Sequence, residues 1–361
     1  MCTHYLKIAF RNMWKYRAQS FTAVFGLAFG LACFVPALYW MRYETSYDRF
    51  YPGAGQIYRV YAMEKQSGKV NEGVPGILKK ELQKQFPAVE TATVFLTNYE
   101  NCRTEQTSHI RLQMLYTDSA FFSVFPQQFV SGNASQPLQI MNNVVLTETT
   151  AIRLFGDVEK AIGQQVQTTM AASYPPYTVT AVVKDPPPNT NLPFDAIIFH
   201  DMILSFTELP EDIQWNIFVV SLYAKIHPHT DAGEFAGQLR DFTSRINANA
   251  DIELRMLPVN DVRHGLNADV PFTLNFIRLF VAAGILLLFS ALFNFLNLYL
   301  DLFRQRNREW RQRAVHGASG GQLVRQMRFE LACAILPALV FAGLFIVCTR
   351  PAFSGLLDIE I

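Results

Sequence analysis

Three stretches of this chain run without a formal charge for much longer than any other part. Ala18 to Met41, between Arg17 and Arg42, is about 24 residues long. Leu279 to Leu300, between Arg278 and Asp301, is about 22, and Leu331 to Thr349, between Glu330 and Arg350, about 19. At ~1.5 Å per residue these make helices of roughly 28–36 Å, matched to a hydrocarbon layer of ~30 Å. Buried helices of soluble domains rarely stay uncharged beyond ~14 residues. The pattern therefore predicts three transmembrane helices, over 20–42, 276–300 and 329–349. The first is no cleavable leader, because its apolar region is too long and it ends in Tyr39-Trp40-Met41-Arg42, where a leader ends in small residues. The aromatic pair there reads as an interfacial belt.

Ahead of the first span, Lys7, Arg11 and Lys15 recur at i, i+4 and i+8, with Leu6, Phe10, Met13 and Trp14 on the adjacent side. This predicts an amphipathic helix within 1–19, lying in the headgroup layer with its cations toward anionic lipid. The same residues, with the arginines between the second and third spans (Arg304, Arg306, Arg308, Arg311, Arg313, Arg325 and Arg328), set the orientation. By the positive-inside rule the N-terminus and residues 301–328 are cytoplasmic, whereas 43–274 and the tail 350–361 lie outside.

Within 43–274 the pattern changes to short alternating runs broken by turn signals. Ile57–Tyr61, Val144–Leu146, Tyr177–Val183, Phe218–Ile226 and Ile252–Leu257 read as strands. Gly76–Phe86 has helical spacing and is stopped by Pro87. Thr147 caps a short helix over Glu148–Phe155 that Gly156 ends, and another helix falls near Glu234–Ile246. Helices and strands mixed in this way imply an α+β domain. Cys102 is its only cysteine, so it cannot hold an internal disulfide and must rest on a hydrophobic core.

Composition adds exclusions. The chain is 50% hydrophobic and 17% charged, below the ~25% charged of ordinary soluble domains. A net charge of +1 excludes global attraction to polyanions, nucleic acid included. The histidines His109, His200, His227, His229 and His264 are scattered with no metal-ligand spacing. Within 43–274 no Gly-x-Ser-x-Gly is present, and Gly317-Ala-Ser-Gly-Gly321, between the second and third spans, lacks the Gly-Lys-Ser/Thr that cradles phosphates. The chain reads as non-enzymatic, with no metal or cofactor of its own. Inside the spans, Gly26-x-x-x-Gly30 permits close approach of a second helix, and Asn294 and Asn297 share a face suited to helix pairing.

Arg308 to Ala318 reads REWRQRAVHGA and continues to Glu330. It resembles the cytoplasmic loop of MacB/FtsX-type ABC transporter permeases, close to REIGxRxxxGAxxxxxxxxFxxE. Arg308, Glu309, Arg313, Gly317, Ala318 and Glu330 fall on matching positions, while Trp310 and Arg311 replace the usual Ile-Gly. Pro75-Gly-Ile-Leu, Phe86-Pro-Ala-Val-Glu90, Tyr116 to Phe122, Val145 to Ala151 with Leu154-Phe-Gly156, and Val179 to Pro186 resemble successive blocks of a MacB-like periplasmic domain. The resemblance covers nearly the whole chain and is closest to versions found in Bacteroidetes-like bacteria. The fold it implies is an α-helical membrane protein of three spans with a large α+β extracytoplasmic MacB-like domain between the first and second.

The resemblance further implies a multi-pass protein of the bacterial inner membrane with a cytoplasmic N-terminus. Its partners would be an ABC ATPase subunit that binds the ATP, a second permease copy or paralogue, a periplasmic adaptor and membrane lipids. Arg308, Glu309, Arg313, Gly317 and Ala318 would form the ATPase-docking loop, and Gly26, Gly30, Asn294 and Asn297 would pack helices. Such permeases have four spans, or eight when fused, so the chain is expected to be truncated before a fourth span. The competing expectation is a membrane-anchored extracytoplasmic sensor or binding protein without transport activity.

Overall fold

The computed structural model describes residues 2–104, 109–138, 142–168, 176–199, 209–215, 217–246, 252–266, 272–317 and 319–357. His200 and Ala318 lie outside the described residues. The chain divides into two compact units, Met1–Thr45 with Val270–Ile361, and Ser46–Asp269.

The first unit is helical. An N-terminal helix, Cys2–Lys15, breaks at Tyr16 and is followed by the first long helix, Arg17–Glu44. The second, Leu274–Gln305, leads through a short linker helix, Asn307–Val315, to the third, Gly320–Leu357. The three long helices are long and apolar enough to cross a membrane. Within hydrocarbon there is no hydrophobic drive to pair helices, so small residues that admit close backbone approach set the contacts. Ala23, Ala28 and Ala32 of the first helix and Ala334, Ala338 and Ala342 of the third are buried together with Phe295 of the second. Gly30 sits against the second helix so tightly that a Cβ there would lie 2.7 Å from that of Ala291, and at Gly26 a Cβ would lie 3.5 Å from Asn294 Nδ2. Asn294 and Asn297 are otherwise exposed.

Two aromatic expectations change. Trp40 is 5% exposed and packs edge-on against Phe272, Phe276 and Phe280, with ring centroids at 5.3, 6.4 and 5.8 Å. It is an internal packing residue, leaving Tyr39 to face outward. On the N-terminal helix, Met13 does not share a side with Phe10 and Trp14. Met13 and the fully buried Ala9 face the other helices, while Phe10 and Trp14 stay about two-thirds exposed. The helix thus has a protein-facing stripe and a separate outward aromatic pair, a division that the apolar count alone hides.

The inserted domain, Ser46–Asp269, is built on a mixed sheet. Its strands are β1 (Ile57–Glu64), β2 (Val70–Asn71), β3 (Val74–Pro75), β4 (Val89–Arg103), β5 (Ile110–Thr117) and β6 (Phe129–Gly132). They continue as β7 (Asn143–Thr147), β8 (Gln165–Thr168), β9 (Tyr177–Val183), β10 (Ala196–Phe199), β11 (Phe218–Ile226) and β12 (Ile252–Pro258). The main path runs β12-β1-β11-β4-β5-β10-β7-β9-β6. Among the described pairs, β10–β5 and β7–β9 are parallel and the others antiparallel.

Because successive strand residues point to opposite faces, each strand feeds two cores. Val145, Ile197, Leu115, Phe95 and Tyr223 join one cluster with Phe121 and Phe125. Their neighbours take the other face in two groups. Val94, Leu222 and Val60 meet the helices Leu78–Gln85 and Ala232–Ile246, with Phe86 edge-on to Phe235 and Phe242 at 5.6 and 5.2 Å. Val144, Leu146, Tyr116 and Ile198 meet the helix Glu148–Phe155 through Ala151, Leu154 and Phe155. That helix begins where the Thr147 side chain accepts from Thr150 N and ends at Gly156 with φ +78°, the left-handed turn that glycine adopts without strain. Each large apolar side chain so buried contributes about 1.5–3 kcal/mol, which stands in for the missing disulfides.

The segments flanking β1 and β12 are pinned within the domain. Asp48 is fully buried and accepts hydrogen bonds from the Thr190 hydroxyl at 2.6 Å and the Asn191 side chain at 2.6 Å. Burial nevertheless holds its carboxyl above the ordinary carboxylate range, outweighing these donors and the nearby Arg263. The Arg263 guanidinium lies 4.0 Å from the ring centroid of Tyr47.

Candidate functional site

The densest polar group of the helical unit forms where the second helix ends. After the last apolar turn, Arg306 closes the helix and is only 7% exposed. A guanidinium that is so enclosed needs a planar partner with two acceptors. Glu330 of the third helix supplies it. Arg306 donates to the two Glu330 carboxylate oxygens at 2.6 and 3.1 Å.

Glu330, 9% exposed, is held from two more sides. Asn12 of the N-terminal helix donates to Oε1 at 2.9 Å, and Gln326, one turn earlier on the third helix, donates to the same oxygen at 2.9 Å. Arg306 Nε also donates to Glu309 at 3.3 Å, and its guanidinium lies 5.2 Å from the ring centroid of Trp310. One buried ion pair thus ties together the N-terminal helix, the second helix, the linker helix and the third helix. Its charges are satisfied by hydrogen bonds, the condition under which such a pair survives burial. A cavity of about 50 Å³ adjoins it, walled by Tyr16, Phe295, Tyr299, Trp310 and Met327. The Trp310 indole N–H is buried there without a hydrogen-bond partner, and the space admits water.

The linker helix consequently has two faces. Trp310 is buried and Glu309 half-buried toward the ion pair, whereas Arg308, Arg311, Gln312 and Val315, at i, i+3, i+4 and i+7, are exposed on one side. Val315 is 85% exposed. The backbone of Arg313 lies in this helix, but its side chain is outside the described residues. Gly317 follows at φ +89° with open space around it. Chemically, the arrangement is a rigidly rooted cationic helix with an apolar end, and it holds no nucleophile or acid–base pair. Among the described residues no group of three or more His, Cys, Asp or Glu side chains is arranged to hold a metal ion.

The loop arginines were visible in the sequence, as was Glu330. The partners of Glu330 were not: Arg306 is one of several arginines in its stretch, and Asn12 is 318 positions away. The only available sign was that Arg306 stands at the first turn beyond the apolar run, where the chain must reverse.

Residues 20–242 match the family described as MacB-like periplasmic core domain. No curated protein matches the chain. Solved structures resemble it, among them the following. A domain of a Porphyromonas gingivalis protein described as a permease has a TM-score of 0.48 and 18% identity, covering 58% of this chain and 92% of that one. The periplasmic region of MacB from Actinobacillus actinomycetemcomitans has a TM-score of 0.43 and 12% identity, covering 58% and 92%. The extracellular domain of the noncanonic ABC-type transporter YknZ from Gram-positive bacteria has a TM-score of 0.40 and 11% identity, covering 56% and 99%. The family match takes in the first long helix and the inserted domain through most of the helix Ala232–Ile246, which is more than half of the chain. The chain belongs to the MacB-like periplasmic core domain family, the module of ABC-type transporter permeases, here carried between membrane-capable helices.

Proposed function

We propose that this chain is the permease subunit of a MacB/FtsX-type ABC transporter. In this reading a separate ATPase binds and hydrolyses the ATP, and the linker helix carries its motion to the spans and the periplasmic domain, for export or mechanotransmission. The chain sits in the bacterial inner membrane with its N-terminus and linker helix in the cytoplasm. It acts with a second permease copy or paralogue and a periplasmic adaptor, and needs no cofactor of its own.

The observation that carries the reading is the rooting of the linker helix. A helix that transmits a push must not slide on its support, and Arg306, Glu330 and Asn12 join it to three others through one buried carboxylate. Its outward face offers Arg308 and Arg311 for bidentate pairing with carboxylates and Val315 for an apolar hollow. Consistently, the spans place no charge on a path through their centres, unlike a pore for ions.

The test is co-purification with a Walker-type ABC ATPase subunit of the same organism. Arg308→Glu with Arg311→Glu, and Arg308→Glu with Arg313→Glu, should each abolish it while leaving membrane insertion unchanged. Undiminished co-purification overturns the docking role of this face.

A further inference from the structure

The cavity beside the buried ion pair ends in a donor that the protein does not use. Arg306, Glu330 and Trp310 close its inner end, each at most 9% exposed. Arg306 is engaged by Glu330 and Glu309, and Asn12 donates to Glu330. The Tyr299 hydroxyl donates to the Met327 carbonyl at 3.2 Å. Of these groups the Trp310 indole N–H has no partner, and an indole can donate but not accept. With the ion pair compensated from within, this end asks for a neutral acceptor. Apolar side chains make up much of the wall, with Phe295 buried inside and Phe303, 40% exposed, at the rim. At roughly 10–15 Å³ for each water-sized group, a space of about 50 Å³ takes a carbonyl and its neighbouring methylenes.

We infer that this cavity is a lipid-binding site, which takes the ester carbonyl of a bilayer lipid at Trp310 and its acyl chain at the apolar rim. The depth fits. Tyr16 stands just before the first charge-free run, Tyr299 and Phe303 bracket the end of the second, and Glu330 precedes the third. The cavity is therefore level with the boundary between headgroups and acyl chains, where lipid esters sit. The chemistry fits as well. An ester carbonyl accepts without donating, carries no charge and brings its own apolar chain. A phosphate would instead carry its charge to an arginine that is already paired. Because the N-terminal helix, the second helix, the linker helix and the third helix all wall the cavity, a seated ester braces the linker helix. The inference needs the helices to span a bilayer and stands apart from the docking of an ATPase.

The full-length chain, with its four indoles labelled with the heavy nitrogen isotope, is placed in nanodiscs of diester phosphatidylcholine. A second sample uses the diether lipid with the same chains, which lacks the carbonyls. Trp310→Phe identifies the Trp310 resonance by its loss. The Trp310 indole proton should resonate downfield in the diester discs and lose that shift in the diether discs. Ser20→Leu, which enlarges a side chain lining the cavity, should abolish the downfield shift in diester discs. An equal Trp310 resonance in both lipids, the result for a cavity that holds water, overturns the proposal. A lipid-dependent shift that survives Ser20→Leu overturns it too. So does a shift that appears only when free ethyl butyrate is added, since the ligand is then a soluble ester. Should Ser20→Leu fail to insert, the comparison of the parent chain in the two lipids still decides.

Discussion

Replacing Arg306 or Glu330 singly should destabilise the helical unit far more than replacing both. Glu330 receives two hydrogen bonds from Arg306 and one each from Asn12 and Gln326, and the two charged side chains are 8% and 10% exposed. At such burial, water does little to screen a charge left without its partner. Removing one member of a buried pair costs about 3–5 kcal/mol, most of it the penalty on the survivor. Arg306→Met and Glu330→Leu should therefore each cost that much. The double variant removes both charges and should cost about as much as one single change, so the coupling energy is about 3 kcal/mol or more. The measurement is a double-mutant cycle on reversible unfolding in mixed micelles, followed by helical circular dichroism. Additivity within about 0.5 kcal/mol, the behaviour of independent sites, would refute the reasoning that one shared ion pair roots the linker helix.

Further outcomes follow from other contacts. Gly30→Ala must push the first helix from Ala291, where a Cβ would lie at 2.7 Å, and should cost about 1–3 kcal/mol, whereas Gly343→Ala, with open space around it, should be neutral in the same unfolding assay. The Cys102 thiol is pushed up to about 12 by burial and then by Glu100 and Asp195. In a variant with Cys102 as the sole cysteine, maleimide labelling at pH 8 should therefore follow unfolding, and rapid native labelling contradicts this. Asp48, raised by burial, binds its proton more tightly folded than unfolded. Its contribution is complete below the ordinary carboxylate pKa and is lost as pH rises through the elevated one. Denaturant midpoints between pH 3 and 7 should show that step in the parent and lack it in Asp48→Asn.

Where one physical rule governed a segment, the sequence announced it. β9 and β11 are apolar, β-branched runs between turn signals, Thr147 and Gly156 bracket a helix, and the three charge-free runs are long and apolar enough to cross a membrane. The hairpin of β4 and β5 escaped, since Thr97-Asn-Tyr-Glu-Asn101 looks like a loop. Its Glu100 is 4% exposed because the Tyr116 hydroxyl across the hairpin donates to it, a pairing invisible until register is known. The same limit hid the ion pair. Which arginine of 304, 306 and 308 turns inward depends on the phase of the helix at its break, and no local pattern carries that phase. Trp310, a departure from the family pattern, is buried beside the Arg306 guanidinium, a role that likewise depends on the phase of the helix.

The pairing of β1 with β12 has a mechanical consequence. Tyr58 lies opposite Pro258 and Glu64 opposite Ile252, so the chain joins β1 and leaves β12 at the same end of two hydrogen-bonded antiparallel strands. Tension drawing those two tethers apart acts across the ladder and opens it like a zipper, one rung at a time, where strands loaded from opposite ends would resist in shear. Asp48 with Thr190 and Asn191, and Arg263 with Tyr47, sit ahead of the first rung. They act as the stop that must yield before the teeth begin to part.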